Sequence, residues 1–222
     1  MQNEAIHEEK AGKLSIKIYE DTNAQSPEEE GDESLFLVGY HRNFTVTRDQ
    51  IVTQGQCRAI FTRDPDEDEK QTAKEFTKKY HVFGLEAYIH GGVVLALSRE
   101  GNFVDRQWDV SQLGAVFVSR KEWKTADKAR KAALGLIKYW NDTLSGNVYG
   151  YVVEDERGEH LDSCWGFYGD YEDSGILEEA RGAAKGHNAP KEIKKRAEAY
   201  KQDDIKRAAG LVKPYGMSVA RA

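Results

Sequence analysis

The chain has 222 residues, of which 39% are hydrophobic and 32% charged, with a formal net charge of -6. That length can bury a core unaided, and two cysteines, Cys57 and Cys164, exclude a disulfide-rich scaffold and fit a reducing compartment. No stretch approaches the roughly 20 apolar residues that cross a bilayer, and the opening MQNEAIHEEKAGK lacks a signal peptide's apolar run, so a cytoplasmic location without membrane contact is expected.

Residues 1–12 read as a disordered leader. KLSIKIYED, from Lys13 to Asp21, then alternates Leu14, Ile16 and Ile18 with polar residues, the period of a half-buried strand. SPEEEGDE reads as an exposed loop, SLFLVGYH (Ser34 to His41) as a more central strand, and a short helix is expected from Thr47 through Gln54. DPDEDEKQTAKEFTKKY opens with acids and closes with lysines, the order that complements a helix dipole, and predicts a helix from about Asp66 to Tyr80. VFGLEAYIHGGVVLALS predicts a hairpin turning at His90-Gly91-Gly92, because glycine reaches positive φ at little cost. LGAVFVS, Leu113 to Ser119, is a further strand.

A core-facing helix is predicted over 125–145, where Ala126, Ala129, Ala133, Ile137, Trp140 and Leu144 recur at three- and four-residue spacing. Thr125 caps its start and Gly146 closes its end. Strands at Asn147 to Asp155 and Glu159 to Phe167 follow, turning around Arg157-Gly158. Helices are expected in GILEEARGAAKG and, after Pro190, in PKEIKKRAEAYKQDDIKRAAGLV. The fold class is therefore α+β: an antiparallel or mixed sheet of about six or seven strands, with the 125–145 helix and C-terminal helices. The α+β domain spans 13–170, and 171–222 form a helical, basic extension.

Alternation places Val148, Gly150, Val152, Leu161, Ser163, Trp165 and Phe167 on one hairpin face, with Trp165 over the bare backbone of Gly150. That face is expected to be core, covered by the 125–145 helix through Trp140. The opposite face gathers Tyr149, Tyr151, Val153, His160, Asp162, Cys164 and Tyr168. Tyr149, Tyr151, His160, Asp162 and Tyr168 are the candidate partner-binding residues, since phenols are favoured at binding hot spots; Asp162 and Cys164 can equally serve packing and hydrogen bonding. A Cys164–His160 nucleophile pair is disfavoured, because same-face residues four apart on a strand lie about 13 Å apart.

This hairpin, GNVYGYVVEDERGEHLDSCWGFYGD, resembles the ending of a family of uncharacterised bacteriophage and prophage proteins with the pattern G-D/N-V-Y-G-F/Y, then D-S-C-W-G-F-F/Y-G. HGGVVLALS and QWDVSQLGAVFVS are similar to a second family segment, matched at His90, Trp108, Asp109, Gln112 and Gly114. SPEEEGDESLFLVGYHRNF is similar to a third, matched at His41 and Arg42. The motif positions are thus His41, His90, Trp108, Asp109, Gln112, Asp162, Cys164 and Trp165, over roughly Lys13 to Asp170. Gly91 stands where the family tends to have Ser, and Gln107 where it has Pro. The resemblance implies a host bacterial cytoplasm as the setting and no established activity.

No phosphate-binding glycine loop, HExxH or CxxC is present, so no cofactor or catalytic set is expected, and no metal site. The preferred expectation is a non-enzymatic phage accessory protein that binds a host protein and inhibits a bacterial defence system. The alternatives are a metal-dependent hydrolase or nuclease using His41, His90, Asp105 or Asp109, and a nucleic-acid binder. The latter would act through Lys191, Lys194, Lys195, Arg196, Lys206 and Arg207 of the basic extension.

Overall fold

The computed structural model describes residues 4–27, 33–41, 44–46, 51–104 and 106–188. In chain order the elements are β1 (His7–Ala11), β2 (Leu14–Glu20), β3 (Leu35–His41), β4 (Phe44–Val46), α1 (Gln54–Phe61), α2 (Glu67–Lys79), β5 (Tyr80–Ile89) and β6 (Val93–Leu97). They continue with α3 (Arg106–Asp109), β7 (Val110–Ser119), α4 (Ala126–Ser145), β8 (Val148–Glu154), β9 (His160–Tyr168) and α5 (Ile176–Asn188). The class is α+β and the strand pairings are antiparallel. The strands divide into two sheets, ordered β1-β2-β8-β9 and β4-β3-β7-β5-β6, rather than forming the single sheet of six or seven expected. The division is hard to see in sequence because β1 and β2 join β8 and β9 across more than half the chain.

The leader expected over 1–12 includes β1, paired with β2 from His7↔Ile18 to Ala11↔Leu14. Gly12, at φ 66°, opens the tight turn between them. The segment's charges suggest disorder, yet they alternate: Glu8 and Lys10 are exposed while His7 and Glu9 are half-buried. The Glu9 carboxylate accepts two hydrogen bonds from Arg181 of α5, at 2.7 and 2.6 Å.

In the first sheet, Leu14, Ile16 and Ile18 join Tyr151 and Val153 beneath Ile176, Ala180 and Ala184 of α5. Small residues on α5 let its backbone approach the strands. The helix expected in GILEEARGAAKG is therefore part of this core, not an extension beyond it. The second expected C-terminal helix lies outside the described residues.

The second sheet is covered on both faces. On one, Ala129, Ala133, Ile137 and Trp140 of α4 pack against Leu37, Leu85, Ala87, Leu95, Leu97, Val116 and Val118. On the other, Phe36, Tyr80 and Phe117 form an aromatic knot with Phe76 of α2, beside Val52 and Cys57 at α1. The α4 helix forms as the apolar spacing predicts, with Thr125 at its start and Gly146 at φ 75° at its end, but Trp140 packs against the second sheet and not the β8–β9 hairpin. Asn141 of the same helix reaches strand β6: its Oδ1 accepts from the Leu95 N–H at 2.8 Å and its Nδ2 donates to the Leu95 carbonyl at 3.0 Å.

Of the helix expected over 47–54, Ile51 to Thr53 are not helical, and α1 begins at Gln54. Thr53 accepts from the Gln56 N–H while the Gln56 carboxamide accepts from the Thr53 N–H, a reciprocal cap. Thr47 to Gln50 lie outside the described residues. Helix α2 has the same device in Asp66 and Glu69, with its boundaries where the charge order places them.

Candidate interaction site at one end of the second sheet

Strand β7 carries a bulge opposite β5: Leu85 pairs with Gly114, but Glu86 pairs with Gln112. The extra residue, Leu113, turns into the α4-side core, and Gln112 comes to lie across from Glu86. Gln112 Nε2 donates to the carbonyls of Leu85 and Gly114, at 2.9 and 3.2 Å, and its Oε1 accepts from the Ser98 hydroxyl at 3.0 Å. This motif glutamine therefore closes the bulge. Gly114 lets β3 lie close against β7 beside the bulge, since a Cβ there would sit 2.0 Å from the Val38 carbonyl oxygen.

Glu86 interrupts an otherwise apolar strand and is 4% exposed. Its Oε2 accepts from Arg106 Nη2 at 2.7 Å and from the Arg99 N–H at 3.1 Å. Arg99 holds a left-handed backbone, φ 69°, which is uncommon for a residue bearing a Cβ. Burial pushes the Glu86 carboxyl up, but the Arg106 guanidinium and the Arg99 N–H together outweigh it, leaving the group below its ordinary value. Its other oxygen, Oε1, is buried with no hydrogen-bond partner among the described residues.

Arg106 also donates to the Gly101 carbonyl at 2.7 Å and rests over Phe103, which stacks on Tyr88 at 5.3 Å. At the far end of the short α3 turn, Asp109 Oδ2 approaches His90 Nδ1 at 3.3 Å. Between these anchors Trp108 is 81% exposed, with Val104, four residues before it in the chain, at 73%. An indole held out this far, on a turn fixed at both ends, forms a rigid apolar projection.

Of the motif positions, His90, Trp108, Asp109 and Gln112 thus gather here. Asp162, Cys164 and Trp165 lie on the first sheet, and the side chain of the motif residue His41 is outside the described residues, as is Asp105 of the metal-dependent alternative. For the metal-dependent alternative, His90 and Asp109 supply two groups; no cluster of three metal-ligating side chains occurs among the described residues. Lys191, Lys194, Lys195, Arg196, Lys206 and Arg207, the expected nucleic-acid contacts, also lie outside them.

The expected partner face of the β8–β9 hairpin is largely occupied. Trp165 lies over Gly150 as the spacing predicts, so close that a Cβ on Gly150 would meet the indole at 2.1 Å. Yet β9 departs from strict alternation twice, because Leu161 and Gly166 are extra residues relative to β8. Phe167 is thereby moved to the α5-covered face and Tyr168 to the other. Tyr151 is 4% exposed under α5, where burial, followed by the charge of Asp162, raises its phenol above its ordinary value. Tyr149 packs edge-on against Tyr171, and Asp162 lies 3.4 Å from His187 of α5. Tyr168 meets Tyr139 of α4 and donates to the Gln25 carbonyl at 3.0 Å. The expected core face, by contrast, leaves Trp165 47% exposed, beside Tyr19 at 6.4 Å between ring centres.

The Leu161 bulge also separates His160 from Cys164. His160 pairs with Glu154 and contacts Ser163 at 3.1 Å, whereas Cys164 lies opposite Tyr151 on the α5-covered face. The other thiol, Cys57, is buried and pushed up to about 11, and so is a packing group rather than a nucleophile.

Among the described residues no helix is long and apolar enough to cross a membrane. Comparison of the chain with protein-family models, curated proteins and solved structures yields no match. The residues that sequence reasoning misses are Glu86 and Arg106. Their signal is an acid inside VFGLEAYI, which in a covered strand demands a cation.

Proposed function

We propose that this is a non-enzymatic bacteriophage or prophage accessory protein that binds a host protein in the bacterial cytoplasm and so inhibits a bacterial defence system. Trp108 stands at the centre of the contact. The observation that carries the binding reading is the 81% exposure of Trp108 on a turn anchored by Arg106–Glu86 and Asp109–His90. Tryptophan offers a large apolar area at low conformational cost and is enriched at binding hot spots. A pre-fixed turn loses little further freedom on docking. The phage setting is supported by the hairpin motif and by the matching positions at His90, Trp108, Asp109 and Gln112.

The test is capture from bacterial lysate with the tagged full chain and its Trp108→Ala variant, followed by a plaque assay in a host carrying the captured defence component. The expected result is one host protein retained by the parent and lost from the variant, with matching loss of phage protection. Background capture by the parent, or equal capture by both, removes the reading.

A further inference from the structure

A cavity of about 370 Å³ opens between α1 and the β7 bulge, lined among others by Tyr40, Cys57, Arg58, Phe61, Gln112 and Leu113. Its size falls in the range of small-ligand sites, roughly 300–1,000 Å³. The chemistry of the lining is one-sided. Among the described residues that line it, Arg58 is the only charged one. Arg58 lies in the last turn of its helix, with its side chain exposed to solvent at the cavity mouth.

The remaining polar groups make little demand on an occupant. Gln112 spends both ends of its carboxamide on Ser98, Leu85 and Gly114, the Tyr40 hydroxyl donates to the Val52 carbonyl, and the Thr62 hydroxyl donates to the Arg58 carbonyl. What faces the cavity among the described residues is therefore largely apolar, with the Arg58 guanidinium and the exposed Gln54 carboxamide at its rim. Phe61 is 42% exposed beside it, an aromatic face for a flat molecule. A guanidinium presents a planar fork that matches a carboxylate.

We propose that this cavity binds a small organic monoanion, its carboxylate held by Arg58 and its flat apolar body laid against Phe61 and Tyr40. The site does not depend on Trp108, so it stands or falls separately from the protein-binding reading.

The probe is 2-naphthoate, with neutral 2-naphthamide as its control, titrated into the full chain and followed by amide chemical shifts. Saturable shifts are expected at Cys57, Arg58, Phe61 and Gly114. The loss of a charge-assisted hydrogen bond predicts affinity weaker by about tenfold or more for the amide, and likewise for naphthoate with Arg58→Gln. Arg58→Lys is expected to lie between, and Trp108→Ala to match the parent. Melting curves of the variants establish that they fold. Equal affinity for the acid and the amide, undiminished binding to folded Arg58→Gln, shifts centred elsewhere, or no saturation would each overturn the proposal.

Discussion

Two tryptophans divide the molecule's surface into two kinds. Trp165 is about half exposed, but its covered half lies on Gly150, where any Cβ would displace the indole. Trp108 is far more exposed, and its neighbours hold the turn on which it rides rather than the ring itself. The first indole shields backbone in its own sheet; the second is kept in water by a scaffold. Exposure alone does not separate them. What each ring rests on does.

The comparison can be broken at the glycines first. Gly114→Ala sets a Cβ against a backbone oxygen that cannot turn away, and should cost about 3 kcal/mol in denaturant unfolding. Gly150→Ala meets an indole that can swing outward, and about 2 kcal/mol is expected, with Trp165 fluorescence shifting to the red. Equal costs would mean that Trp165 is as immobile as the strand backbone.

Glu86→Gln removes the charge that holds Arg106 and should cost about 1–2 kcal/mol, read most directly as faster amide exchange at Arg99. The acid limb of the stability curve checks the same contact. A carboxyl held below its ordinary value contributes stability that is complete above that value, 4.5 for Glu, and is lost as pH falls through the depressed folded value. Acid should therefore lower the protection of the Arg99 amide, measured relative to its intrinsic exchange rate at each pH, in the parent and leave the variant comparatively flat.

The smallest effect belongs to Trp108. Trp108→Ala should change stability by no more than about 0.5 kcal/mol, whereas Trp165→Ala should cost about 1 kcal/mol or more through the apolar area it uncovers. If the two losses are alike, the distinction between shielding and presentation fails.

Much of this was legible in the chain. The α4 stripe, the acid-to-lysine order of α2, the His90 turn and Trp165 over Gly150 are local patterns, and local patterns survive folding. The division into two sheets was not, because the pairing of β2 with β8 joins Ile16 to Val153 and leaves no trace in either segment. The hairpin faces were misassigned only at the ends of β9, at His160, Leu161, Phe167 and Tyr168, because single-residue bulges at Leu161 and Gly166 reverse the alternation without changing composition. Gly166, at φ 84°, marks one of them. Glu86 was readable as an anomaly, but its partner Arg106, twenty residues on, was not.

The carboxamide of Asn141 occupies both hydrogen-bonding groups of Leu95 on the outer strand β6. An unpaired strand margin is a template on which a second chain can lay itself, and here that template is read by a side chain from within the same molecule. One amide thus imitates the strand that would otherwise come from a neighbour. Removing it turns a finished margin into an unfinished one, so that solubility at high concentration, more than thermal stability, becomes the property that Asn141 governs.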